Sequence, residues 1–313
     1  MNRLFKNHWR DALRDKRVAI SGAVLLILTI AAFAAPPVAA LIGIDPDTVD
    51  LYHRFAAPSL LHPLGTDEIG RDLLFRLLEG GRISLLVGIV AAIVSAVVGT
   101  AVGLIAGYRG GRLDAALMRF TDGMIALPLL PLLVVLAALD LKKLGVPSSI
   151  VDSSTISVER IIVLVALVGW TTVARIVRGA TLSLKSRDFV RAAVALGASA
   201  PRVMLVHILP NLASPIIVAT TLAVGQTILL ESVLSFLGLG VAPPIPSWGN
   251  MLTTAQEMIE LAPQLALYPG LLIFITVIAC NFLGDGLQDA LDPRAQRRIM
   301  PEATVATALE KAP

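Results

Sequence analysis

Cysteine is almost missing from this 313-residue chain, and the single Cys280 excludes an internal disulfide framework and any multi-cysteine metal site. Histidine is scarce as well: His8, His53, His62 and His207 are scattered at spacings that match no metal-ligand pattern. The dipeptide Gly-Lys does not occur, so the chain has no Walker A phosphate cradle, and no Gly-x-Ser-x-Gly elbow marks a nucleophile. Those gaps disfavour a membrane-embedded enzyme and assign any ATP chemistry to another polypeptide. Charge is thin: Asp, Glu, Lys and Arg make up 16% of the residues, where soluble domains carry about a quarter. A formal net charge of +3 does not suggest a nucleic-acid partner.

What fills the chain is apolar: 56% of residues are hydrophobic, gathered into long blocks. Six blocks come near the roughly 20 residues that a bilayer-crossing helix needs. They are 18–42, 83–107, 117–139, 161–177, 212–237 and 265–287. The expected fold class is therefore all-α, a polytopic membrane protein with six transmembrane helices in the lipid bilayer. The first block, with its basic leader and the stretch "AFAA", also fits a signal peptide; the long leader and Pro36–Pro37 favour a retained span. Counting Lys and Arg in the connections puts 19 on the side of the N-terminus and 7 on the other, out of 26. By the positive-inside rule, both termini are expected in the cytoplasm. The organisation expected is a leader at 1–17, a first span and external loop at 18–82, a five-helix core at 83–290 and a tail at 291–313.

Residues 1–17 read either as an interfacial helix or as a solvated positive flank. In the external connection, Leu73, Leu74, Leu77 and Leu78 lie opposite Arg71, Asp72, Arg76 and Glu79, which predicts an interfacial amphipathic helix ended by Gly80–Gly81. In the second span Ser95, Gly99, Gly103 and Gly107 recur every four residues, flattening one face for close helix packing. Asp122 precedes Pro128 and Pro131 in the third span, where the prolines should bend the helix, either around a polar cavity or for packing alone. Thr220, Thr227 and Glu231 share a face of the fifth span, with Gln226 beside them; Glu231 serves either a pathway or the outer interface. These residues, with Asp122, are the candidate pathway lining. The stretch from Ser235 to Leu252 reads as an irregular outer loop anchored by Trp248, with a short helix expected over 253–264. The tail beyond Arg298 is small and polar, as in disordered segments.

Between the fourth and fifth spans runs "FVRAAVALGASAPRVMLVHILPN". Asp188 to Leu196 suits a helix, Gly197 offers a stop, Ser199 can cap a second helix, Pro201 fits its first turn and Pro210 should end it. Ala192 and Ala193 add no bulk, so this face could enter a groove on another protein; a hairpin that only joins two spans is the alternative.

Ala192-Ala193, Gly197 and Leu209-Pro210 resemble in spacing the EAA coupling motif of ABC-importer permeases. "HPLGTDEIGRDLLFRLLEGGRISL", "HILPN", "LSFLGLGVAPPIPSWGNML" and "LGDGLQDALDPR" are similar, in order and over most of residues 60–298, to the second permease (C-type) subunit of dipeptide, oligopeptide and nickel importers. The resemblance implies an ABC type I importer permease fold in a bacterial inner membrane. It implies a second homologous permease as hetero-dimer partner, two ATP-binding subunits and an extracytoplasmic substrate-binding protein. ATP and Mg would sit on the partner subunits, and this chain would bind no cofactor or metal. Carried over by position, the ATPase-coupling segment is Arg191, Ala192, Ala193, Gly197, His207, Leu209, Pro210 and Asn211, with His207 a packing residue. Peptides are the implied substrate, with nickel chelates, glutathione or opine-like solutes as alternatives and an ion-coupled secondary transporter as the rival class. Two departures stand out: Arg191 occupies a position that is usually acidic, and residues 139–160 form a longer connection than the family's.

Overall fold

The computed structural model describes residues 15–291 apart from 144, 152 and 154, so the readings made for 1–14 and for the tail beyond 291 lie outside the described residues. The fold is all-α, without strands among those residues. Five stretches are long and apolar enough to cross a membrane. They are α1 (Lys16–Ile42), α2 (Leu73–Arg109), α6 (Ile156–Lys185), the helical run Ala200–Phe236, and α11 (Gln264–Leu291). The sixth expected span is a bent pair, α3 (Gly111–Ala126) and α4 (Leu129–Ala137), which meet at 84°, and a single-turn α5 (Ser148–Val151) follows it. Pro128 sits at the elbow in extended backbone, and Pro131 falls in the first turn of α4, where a missing N–H costs nothing. The prolines thus bend the span as their spacing predicts.

The central helix is α2, which touches α1, α3, α6, α9 (Ala213–Phe236), α10 (Trp248–Glu257) and α11. Its small-residue stripe faces α6. A Cβ on Gly99 would lie 2.5 Å from the Trp170 carbonyl, one on Gly103 2.4 Å from that of Ala174, and one on Gly107 2.7 Å from Thr181. Gly169 returns the favour, leaving room for Ser95. With no hydrophobic drive between helices in lipid, this backbone-to-backbone approach supplies much of the adhesion. Gly103→Val should therefore destabilise the purified protein by at least about 1–3 kcal/mol, because carbonyls cannot yield as side chains do. Gly123→Ala, into open space, should be nearly neutral; equal Tm values for the two variants would refute the zipper.

Four expectations are corrected here. Gly80–Gly81 does not end a separate interfacial helix: α2 runs unbroken from Leu73, capped by Asp72, whose carboxylate accepts the Phe75 N–H at 2.9 Å. The two glycines make room instead, since a Cβ on Gly81 would press 2.7 Å from the Trp248 ring and one on Gly80 3.2 Å from Ser247. Second, the polar side of that segment is not exposed: Arg76 is 6% exposed and its guanidinium donates to Asp47 at 3.0 Å, holding the 43–72 loop on the bundle. Third, the short outer helix begins at Trp248 rather than 253, because Ser247 and Asn250 form a reciprocal capping box. Fourth, Trp248 is a wedge and not an interface anchor: it is 2% exposed and its indole N–H donates to the Leu77 carbonyl at 2.9 Å. As for α1, Val18, Ala32, Ala35 and Ala39 are buried, so the first apolar block packs as part of the bundle.

Candidate functional site

Two surfaces gather the candidate residues. The first is the segment after α6. Here α7 (Asp188–Ala195) ends where Gly197 takes φ +82°, its N–H donating to the Val194 carbonyl at 2.9 Å and that of Ala198 to Ala193 at 3.0 Å. This is a left-handed helix stop of the kind glycine favours. Ser199 then starts α8 (Ala200–Arg202) in extended geometry with Pro201 in the first turn, although its side chain makes no cap bond.

Pro210 does not end the second helix. A π turn (Val203–Ile208) and a 3-10 turn (Leu209–Leu212) carry the chain past it into α9. The Leu209 N–H reaches back to the Met204 carbonyl, and the widened turn absorbs the proline, which has no N–H to give. The second cytoplasm-type helix expected from sequence is therefore the lower end of the fifth span itself.

The two alanines also part company. Ala193 is buried beside Val190, whereas Arg191 and Ala192 are exposed. The free side of α7 and its C-cap carries Phe189, Val194 and Leu196, at 44%, 50% and 89% exposure. Beneath it, Val190, Val203, Ile208 and Leu212 join Leu104 of α2 and Val173 and Val177 of α6 in one apolar cluster. The underside of α7 therefore packs against three spans at once. His207 is half-buried and its backbone carbonyl accepts the Asn211 side-chain amide at 2.7 Å. No group of three or more His, Cys, Asp or Glu that could hold a metal occurs among the described residues.

The second surface is a cavity of about 280 Å³ between the α3–α4 elbow, α6 and α9, with Ser95 of α2 on its wall. Gln226 and Thr227 line it with Thr171 and Thr172, and its remaining wall is apolar and uncharged. Of the other candidates, Thr220 faces a separate apolar groove beside Leu205 and Leu209, and its hydroxyl is spent on the Ile216 carbonyl at 2.7 Å. Asp122 pairs with Arg175 across α3 and α6. Eight residues earlier on α3, Asp114 takes Arg178 in a two-pronged pair at 2.5 and 2.6 Å, and Phe120 stacks on Trp170 with centroids 6.1 Å apart. The sequence reading passed over Asp114, Arg175 and Arg178. Their spacing held the signal: Asp114 and Asp122 lie eight apart, and Arg175 and Arg178 three apart, each pair on one helix face.

Glu231 is on neither the cavity wall nor the outer interface. It is completely buried, and its carboxylate accepts from the Ser84 hydroxyl at 2.9 Å and from Ser235 at 2.7 Å. Ser84 in turn accepts the Trp248 N–H at 3.2 Å and Ser235 that of Val241 at 3.0 Å. The knot ties α2, α9 and the 238–247 loop together. A buried carboxylate is costly unless its oxygens find donors, and here both do.

Comparison with known proteins agrees with this architecture. The family model described as the binding-protein-dependent transport system inner membrane component matches residues 99–297. The probable peptide ABC transporter permease protein y4tQ of Sinorhizobium fredii is 40% identical over 289 residues, 92% of this chain and 93% of that protein. The oligopeptide transport system permease protein OppC of Bacillus subtilis is 36% identical over 92% of this chain and 90% of its own length. The glutathione transport system permease protein GsiD of Pectobacterium atrosepticum is 38% identical over 93% and 91%. A bundle of this kind, with an exposed helix hinged at a left-handed glycine and a match covering most of the chain, belongs to the family of inner-membrane components of binding-protein-dependent transport systems, the permease subunits of ABC importers.

Proposed function

We propose that this chain forms half of a peptide translocation pathway, with a second homologous permease supplying the other half. Two ATPases hold ATP and Mg and drive the cycle, one docked on the α7 face and the other on the second permease; this chain binds no cofactor. An extracytoplasmic protein delivers the substrate to the opposite side, and both termini of this chain lie in the cytoplasm. The observation that carries the reading is the exposed apolar face of α7, seated on a cluster shared by α2, α6 and the base of α9. Such a face is a lever: a partner that fits it differently in two states shifts the spans between them. Arg191, Ala192, Gly197, Pro210 and Asn211 are the contact and hinge positions, and Ala193, His207 and Leu209 the packing beneath them.

The peptide class rests on relatives named for peptides and oligopeptides, and glutathione, named for another, is itself a small peptide. Gln226 and Thr227, beside Ser95, Thr171 and Thr172, offer hydrogen bonds to a peptide backbone along a mainly apolar cavity wall, and selectivity then rests mainly on the delivering protein. Arg191 makes an acidic rim the expected feature of the ATPase socket. Purification of the tagged chain from its own cells should bring two ATPase copies and a second permease. Arg191→Glu should lower ATPase recovery about fivefold at low salt, and less at high salt where charges are screened. Wild-type chain emerging alone or as a homo-oligomer would end the importer reading.

A further inference from the structure

Besides the cavity, the bundle has an apolar groove of about 400 Å³ between α1 and α11. The two helices touch at Val18 and Gly286, where a Cβ on the glycine would lie 2.5 Å from the valine methyl. Beyond that contact the groove is walled by Ile20, Val24, Phe274, Ile278 and Phe282, with Ala279 buried alongside. Lys16 and Arg17 stand at one end. Arg17 is engaged by Asp289 at 2.8 Å and Asp15 at 3.0 Å, whereas Lys16 is exposed and has no partner among the described residues.

We infer that this groove binds a phospholipid with an anionic headgroup, its acyl chain along α1 and its phosphate on Lys16. Three features select that occupant. The walls lie within two membrane-crossing helices, so what fills them is hydrocarbon or another helix. Helices pack in lipid through small residues, and here the exposed rims are Ile20, Phe274 and Phe282, at 65%, 60% and 53%. Such bulky edges keep a helix backbone away but admit a thin, flexible chain. From Lys16 to Val24 the groove rises about 12 Å at 1.5 Å per residue, close to one leaflet of a roughly 30 Å hydrocarbon core. A cation without a partner at the mouth of a one-leaflet hydrocarbon slot meets both halves of one anionic lipid, the interfacial basic site of membrane proteins.

The test uses the full-length chain in phosphatidylcholine vesicles, alone and in its assembled transporter. A phosphatidylglycerol probe with a diazirine on its acyl chain is compared with a phosphatidylcholine probe bearing the same chain, and cross-linked peptides are mapped. Phosphatidylglycerol should label residues 16–24 and 274–282 about fivefold more than phosphatidylcholine, the effect of one interfacial cation. Lys16→Ala, at an exposed position that leaves packing untouched, should abolish the preference, and Lys16→Arg should keep it. Equal labelling by both probes, or a preference that survives Lys16→Ala, overturns headgroup recognition. Labelling that is present on the free chain and lost in the assembled transporter overturns the proposal in favour of a partner helix.

Discussion

Uptake of labelled peptide by cells whose only copy of this chain carries Gly197→Pro should fall to background, while the protein still inserts and accumulates. Proline demands φ near −65°, and Gly197 sits at +82°. The substitution also deletes the N–H that holds the Val194 carbonyl. A mismatch of this kind costs about 3 kcal/mol or more, over a hundredfold in the population of the hinged conformation. The six apolar crossings are untouched, so membrane levels should hold. Gly197→Ala separates hinge from bulk: no atom lies within 4 Å of the added Cβ, so only the left-handed strain of about 1–2 kcal/mol remains. Its uptake should be intermediate. Normal transport by the proline variant would sink the lever.

The second large effect is expected at Glu231. Glu231→Ala removes the acceptor for two buried hydroxyls, Ser84 and Ser235, each of which then costs about 1–3 kcal/mol unless it finds another partner. Those hydroxyls position the Trp248 and Val241 backbones, so the outer loop should loosen with the loss. In detergent the Tm should fall by roughly 5–10 °C. With Trp9 and Trp170 replaced by phenylalanine, acrylamide should quench Trp248 little in the parent and strongly in Glu231→Ala. Glu231→Gln, which keeps one acceptor oxygen, should land between them. An unchanged Tm together with an unchanged quenching constant would mean that the knot is not holding the loop.

Much of this protein is local and therefore legible in sequence. A crossing helix must satisfy every backbone group within itself, so the spans announce themselves as apolar blocks wherever they fold. The stripe at Ser95, Gly99, Gly103 and Gly107 is a period of one helix, and the elbow at Pro128 and the stop at Gly197 follow from the backbone chemistry of single residues. Even the ion pairs between α3 and α6 were within reach, as charges repeated on one face of each helix.

What tertiary structure alone decided is who meets whom. Gly80–Gly81 reads as a helix end until Trp248 arrives from 171 residues away, bonded to the Leu77 carbonyl, and needs the space. Glu231 reads as a pathway or interface charge until Ser84, 147 residues earlier, supplies a donor to it. Pro210 reads as a terminator because its missing N–H removes one bond of a regular α-helix, and only the packed π turn provides a helix that does without it. Ala192 and Ala193 are interchangeable in composition, yet the packing of α7 buries Ala193 and leaves Ala192 exposed. Backbone preference and hydrophobic periodicity belong to neighbours in the chain and are set by the sequence itself. The donor for a buried carboxylate and the ring that fills a glycine's gap come from other helices, and the sequence names them only once it has folded.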